Sequence, residues 1–93
     1  MDEILEKRRK IDKIDLNILA LLAKRERIAS EIGCRKRKTK MFIKDTAREK
    51  EAMRIRISNA RKYNLSVIFV KKLFSLIFKQ SRIVQENVQR SSF

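Results

Sequence analysis

One stretch decides the fold. Residues 2–38 read DEILEKRRKIDKIDLNILALLAKRERIASEIGCRKRK, with no proline and a single glycine. Apolar residues recur along it at helical spacing, close to a heptad seam: Ile4, Ile11, Ile14, Ile18, Leu21, Leu22, Ile28 and Ile32. The pattern predicts one uninterrupted helix about 55 Å long.

The predicted helix is too long for its own domain. A compact chain of 93 residues has a radius of gyration of about 12 Å, so the helix must overhang and its apolar stripe needs a second surface to cover it. The simplest such surface is another copy of the chain. One domain spanning residues 1–93 would also have a marginal core of its own. The sequence therefore predicts a helical homodimer.

The rest of the chain predicts two shorter helices. The segment Thr39–Lys44 breaks the helical pattern, and Asp45 is a good N-cap for a helix from Thr46 to about Tyr63. Ser66 caps a third helix that reaches about residue 89. The expected inner faces are Met53, Ile57 and Ala60, then Val70, Leu73, Phe74, Ile77, Val84 and Val88. No segment favours a strand, so the predicted fold class is all-α, three helices with a very long first one.

The composition favours an anionic partner and excludes several kinds of catalysis. Lys and Arg number 25 against 11 acidic residues, a net charge of +14 that attracts polyanions and small anionic metabolites alike. The absence of histidine and the single Cys34 exclude an internal disulfide, a zinc site and a Ser–His or Cys–His pair. No signal peptide or membrane span is evident. We therefore expect a cytoplasmic protein without metal or cofactor.

Polar side chains interrupt the apolar faces of all three helices. Arg25 and Lys36 are eleven residues apart, which places them about 20° apart around the helix axis. Glu49 lies on the inner face of the second helix, and Ser81 and Gln85 interrupt the stripe of the third. Taken singly, each residue has an ordinary structural explanation. A long basic side chain at the edge of an apolar face can reach solvent, and a buried amide often hydrogen-bonds to backbone groups. Together they predict a ligand site in the bundle core.

Arg8 would extend this site across a subunit boundary. It precedes Arg25 by seventeen residues, about 25 Å along the axis, so one small ligand cannot contact both residues from the same helix. If two chains pack antiparallel, Arg8 of one chain can approach Arg25 of the other.

These residues resemble the all-α (AroQ-type, type II) chorismate mutases. The resemblance spans nearly the whole chain and is carried by Arg8, Ile11-Asp12, Ile14-Asp15, Ile18-Leu19, Leu21-Leu22, Arg25, Ile32-Gly33, Lys36, Asp45-Thr46-Ala47-Arg48-Glu49, and Phe74 to Gln85 with Ser81. It implies an intertwined homodimer with two equivalent active sites. It also implies the Claisen rearrangement of chorismate to prephenate, a step in phenylalanine and tyrosine biosynthesis.

The resemblance assigns four residues to the substrate's carboxylates alone. Arg25 and Arg8 of the partner subunit would hold the two carboxylates. Arg48 and Ser81 would complete these contacts.

The resemblance assigns the remaining residues to the reacting ether and the ring hydroxyl. Lys36 would bridge a carboxylate and the ether oxygen, and Gln85 would donate to the same oxygen. Glu49 would accept from the hydroxyl, helped by backbone near Asp45. Arg82 departs from the family pattern, since several relatives have an apolar wall at this position.

Three alternatives remain open from the sequence. An isochorismate pyruvate lyase uses a similar helical dimer and a similar anionic substrate, and only an assay of both substrates separates the two. A basic helical dimer could instead bind nucleic acid, but the predicted layout has no turn and recognition helix, which argues against this alternative. The third alternative is a dimerisation module with no activity, in which the polar stripe serves only pairing specificity.

Overall fold

The fold consists of three α-helices. The computed structural model describes residues 2–91, with α1 at Glu3–Thr39, α2 at Thr46–Lys62 and α3 at Val67–Ser91. No strand occurs in this range, so the predicted all-α class with a very long first helix is confirmed. Among the same residues, no helix combines the length and apolarity that crossing a membrane requires.

Side chains cap the two shorter helices as the sequence predicts. The Asp45 carboxylate accepts from the backbone N–H of Arg48 at 3.0 Å, and the Ser66 hydroxyl accepts from that of Phe69 at 3.2 Å. Each bond satisfies one of the first-turn donors that a helix leaves unpaired. Lys40 ends α1 in the left-handed conformation, with φ of 57°, and so turns the chain toward α2.

The first helix overhangs the rest of the chain. The principal extents are 58 × 29 × 14 Å and the radius of gyration is 16.8 Å, against about 12 Å for a compact chain of this length. Five apolar residues of its stripe are between 49% and 65% exposed: Ile4, Ile11, Ile14, Ile18 and Leu21. The predicted overhang is confirmed, and its apolar stripe is uncovered in the single chain.

Small residues bring the helices together. α3 packs against both α1 and α2, and the buried positions are Ala29, Gly33, Ala52, Ala60, Val70, Phe78 and Gln85. Alanine and glycine let helix backbones approach closely, which fixes the spacing around α3. The predicted inner faces are partly wrong: Met53 and Ile57 are only half-buried and Leu73 is 39% exposed. Ala52 and Phe78 occupy the interior instead.

Candidate active site

A cavity of about 330 Å³ lies between α1 and α2, with α3 as its floor. This volume is that of a site for a small molecule. Seven of the eight side chains singled out from the sequence line it: Arg25, Lys36, Asp45, Arg48, Glu49, Ser81 and Gln85. The fold therefore gathers onto one surface residues that are separated by up to sixty positions along the chain.

The eighth residue, Arg8, lies elsewhere. It is exposed on the overhanging half of α1, about 25 Å from Arg25 by the rise of the helix. Within one chain it cannot reach the cavity. Its contribution from a second subunit stays a prediction.

Ser81 orients the Arg25 guanidinium. The Ser81 hydroxyl donates to the backbone carbonyl of Ile77 at 3.0 Å and accepts from Nη1 of Arg25. With its single proton committed to the backbone, the hydroxyl presents a lone pair to the arginine. This bond joins α1 to α3 and holds a half-buried cation at one end of the cavity.

The loop between α1 and α2 positions Lys36 at the other end. Its Nζ donates to the backbone carbonyl of Ile43 at 2.6 Å. An ammonium group has three donors, so two remain for a ligand. Arg25 and Lys36 thus place two cations in one cavity, as the 20° separation of their positions around α1 predicts.

Glu49 is paired with Arg82, the residue that departs from the family pattern. Nη1 of Arg82 lies 2.6 Å from both oxygens of the Glu49 carboxylate, and both side chains are about one-quarter exposed. The wall near Ser81 is therefore polar, and the carboxylate is held by α3 as well as by its own helix. A carboxylate has about four lone-pair positions, so Glu49 can still accept from a ligand hydroxyl.

Gln85 is the most deeply buried polar side chain of the cavity. It is 7% exposed, and within the described residues its Oε1 has no hydrogen-bond partner. A buried amide atom without a partner is uncommon because it loses its bonds to water and gains nothing. Rotation of the carboxamide about its terminal bond presents either the oxygen or the NH₂ group to the cavity. The amide is therefore available to a ligand.

Gly33 permits this placement of Gln85. A Cβ atom at position 33 would lie 2.9 Å from Cα of Gln85 and 3.1 Å from its carbonyl oxygen, closer than packed atoms tolerate. The Gly33 carbonyl also accepts from Nε2 of Gln89 at 3.4 Å. Contact with rigid backbone, rather than a left-handed φ, is what requires glycine here.

We expect Gly33→Ala to lower the free energy of unfolding by about 1–3 kcal/mol, the usual cost of overpacking. Alanine gains about 1 kcal/mol of helix propensity, so a net loss means that the clash with Gln85 outweighs it. Urea unfolding at a fixed protein concentration measures the change. Glu31→Ala, on an exposed site of the same helix, serves as the control, and a stabilised Gly33→Ala variant would contradict the close approach.

The cavity is strongly cationic. Five cations line it, Arg25, Lys36, Arg48, Arg56 and Arg82, against the carboxylates of Asp45 and Glu49. Burial, followed by the charges of Arg56 and Arg48, lowers the pKa of Arg25 from its usual value. Like charges that repel one another in one cavity are stabilised when an anion enters it.

Sequence reasoning missed Arg56. The signal was present, because Arg56 follows Glu49 by seven residues and therefore lies about 20° from it around the axis of α2. Because the inner face of α2 was expected at Met53 and Ile57, the neighbouring face that carries Arg56 was not assigned to the site.

The arrangement suits the binding of a small dianion with a polar centre. The guanidiniums of the cavity match carboxylates, and Lys36 and Gln85 add an ammonium and an amide. Among residues 2–91, no three His, Cys, Asp or Glu side chains cluster as metal ligands. The chemistry that these residues can perform is positioning and electrostatic stabilisation.

Comparison with known proteins identifies relatives of this chain. Residues 7–86 match the family model described as chorismate mutase type II. The bifunctional chorismate mutase/prephenate dehydratase of Buchnera aphidicola subsp. Schizaphis graminum is 33% identical over 87 residues, which are 94% of this chain and 23% of that protein. The Escherichia coli K12 protein of the same name is 31% identical over 83 residues, 89% of this chain and 22% of that protein. The chain thus spans less than a quarter of the length of these curated relatives.

Proposed function

The chain belongs to the type II chorismate mutase family, and from this premise we propose that it converts chorismate to prephenate by a Claisen rearrangement. The observation that carries the proposal is that Arg25, Lys36, Arg48, Glu49 and Gln85 line one and the same cavity. A unimolecular pericyclic reaction needs no nucleophile, acid or base from the protein. It needs a flexible dianion held in its reactive shape, and these residue types suit that task.

In this proposal the arginines fix the conformation of the substrate. Arg25, oriented by Ser81, binds one carboxylate, and Arg48 contributes to carboxylate binding from the first turn of α2. The guanidinium fork binds carboxylates in a defined orientation. Restricting the ether to its folded conformer supplies part of the rate enhancement in advance of the reaction.

Lys36 and Gln85 stabilise the developing charge. As the C–O bond breaks, negative charge grows on the ether oxygen, and the ammonium of Lys36 and the amide of Gln85 donate to it. Gln85 is 7% exposed, and donors act more strongly where water is excluded. Because these bonds are stronger in the transition state than in the ground state, they raise kcat.

Glu49 accepts a hydrogen bond from the ring hydroxyl, near the backbone of Asp45. Its pairing with Arg82 keeps the carboxylate fixed beside the cavity, so Arg82 supports the role of Glu49 rather than replacing it. The polar wall that Arg82 creates is compatible with a substrate whose hydroxyl lies at this end.

The active form in this proposal is an intertwined cytoplasmic homodimer. The uncovered apolar stripe of α1 needs a partner surface, and a symmetric second copy is the common solution. Antiparallel pairing brings Arg8 of the partner subunit toward Arg25. It would then supply the second carboxylate contact.

The test is to mix the purified protein with chorismate and follow its disappearance and the appearance of prephenate. Isochorismate is assayed in parallel, with pyruvate release as the signal of the lyase alternative. We expect prephenate from chorismate. A folded protein that leaves chorismate unchanged, or that releases pyruvate only, would overturn the proposal.

We expect the activity to be nearly independent of pH between about 6 and 8. The Gln85 amide does not titrate. Burial lowers the pKa of Arg25. The guanidinium can therefore lose its charge only when the pH is raised, never when it is lowered. Because a guanidinium stays protonated far above neutral pH, Arg25 stays charged throughout that range. A profile of kcat/KM against pH checks this, and a tenfold fall between pH 6 and 8 would count against a glutamine donor.

A further inference from the structure

Arg56 is a cation of the cavity to which neither the proposed reaction nor the family pattern assigns a role. It extends from α2 and is half-buried. Its guanidinium carbon lies 5.2 Å from the ring centroid of Phe74 and 5.5 Å from that of Phe78. Two aromatic faces on α3 thus hold the charge in place.

Within the described part of the chain, the charge of Arg56 has no anionic partner. Among residues 2–91 it makes no ion pair, and its one hydrogen bond runs from Nη1 to the Ala52 carbonyl, at 3.1 Å, within its own helix. Its Nε is buried and has no acceptor within that range. Arg54, two residues earlier, is paired with Glu51 at the surface, so α2 provides a carboxylate for the exposed arginine and none for the buried one.

Arg25 lies at the same end of the cavity. Its guanidinium carbon is 6.0 Å from the Phe78 centroid, so two guanidiniums approach one ring from α1 and α2. Burial and the nearby charge of Arg48 lower the pKa of Arg56, and burial, followed by the charge of Arg56, lowers that of Arg25. Two arginines that repel each other, neither of them in an ion pair among the described residues, define an anion position in the cavity.

We propose that Arg56 is a further substrate-binding residue, which together with Arg25 holds one carboxylate of the dianionic substrate. The inference rests on the proposed function and deepens it. Nη1 of Arg56 donates one of its two hydrogens to the Ala52 carbonyl, so its second hydrogen and both hydrogens of Nη2 remain for this contact. The carboxylate offsets the repulsion between the two guanidiniums, so the fold provides a site that is electrostatically preorganised for it.

The competing explanation is that Arg56 only packs on the aromatic rings. Arg56→Met separates the two, because methionine keeps an unbranched apolar chain over Phe74 and Phe78 and removes the charge. Arg56→Lys keeps the charge without the fork. Arg54→Met removes one charge from the exposed face of the same helix and is the matched control. All variants are first compared by circular dichroism and thermal unfolding.

The experiment measures kcat and KM with chorismate, and prephenate binding by calorimetry. We expect Arg56→Met to raise KM and the prephenate Kd by about 10- to 100-fold, as for a lost charge-assisted contact. Arg56→Lys should recover part of the loss, and Arg54→Met should change both constants less than about twofold. If Arg56→Met fails to fold, Arg56→Gln is compared with Arg56→Lys in its place.

The outcomes separate this inference from the function on which it rests. A wild-type enzyme that is active, with a folded Arg56→Met variant whose KM and prephenate Kd are unchanged, would overturn the role of Arg56 alone. A wild-type protein without activity on chorismate would overturn both. Loss of affinity in Arg56→Met with recovery in Arg56→Lys would support both.

Discussion

Replacing Lys36 with methionine is expected to lower kcat by about 100- to 1,000-fold, the usual cost of removing one preorganised donor from a developing negative charge. Methionine matches the length of the lysine stem and removes the ammonium group. The Ile43 carbonyl, which lies 2.6 Å from Nζ, loses this partner, but it belongs to a loop residue that is only half-buried. The fold should therefore persist while catalysis is lost.

Steady-state kinetics with chorismate measure this effect. The loss should appear mainly in kcat if Lys36 acts on the ether oxygen in the transition state, and mainly in KM if it only holds a carboxylate. Lys38→Met, two residues along and exposed, removes the same charge outside the cavity and is the control. Equal values of kcat and KM for the two variants would mean that Lys36 contributes only to the overall electrostatic field of the protein.

Replacing either Arg25 or Arg8 with alanine is expected to reduce kcat/KM by about 100-fold, because each variant lacks one charge-assisted contact to a substrate carboxylate. The two variants should then complement each other. In a dimer of one Arg8→Ala chain and one Arg25→Ala chain, one site regains Arg25 from the first chain and Arg8 from the second. The other site lacks both.

Co-refolding the two variants in equal amounts measures this complementation. Random pairing makes half of the dimers mixed, each with one intact site, so activity should recover to about a quarter of the wild-type value. Arg9→Ala, adjacent to Arg8 and exposed, should stay near wild type. A mixture that remains as inactive as its components would show that Arg8 does not act across subunits.

The sequence predicts the parts of this molecule that depend on periodicity and local capping. Asp45 and Ser66 mark helix starts because their side chains satisfy N–H groups a few residues away, which is a local interaction. Arg25 and Lys36 share an azimuth by helix geometry alone. The predicted helix ends therefore fall within two residues of those observed.

The features that the sequence could not supply are contacts between helices. The pairing of Arg82 with Glu49 joins residues 33 positions apart, and no periodicity encodes it. The requirement for glycine at position 33 arises from the backbone of α3. Phe78 was missed as a buried residue because the packing of α2 and α3, rather than the sequence stripe, decides which azimuth of α3 faces inward.

The position of α3 between the other two helices has a consequence for ligand occupancy. Within residues 2–91, close backbone packing joins α3 to α1 and to α2, and the cavity separates those two. A dianion held by Arg25 from one side and Arg48 from the other would link the two walls directly. Binding of this kind favours the native state by mass action, so an abundant ligand would protect destabilised variants of the protein from degradation in a growing cell.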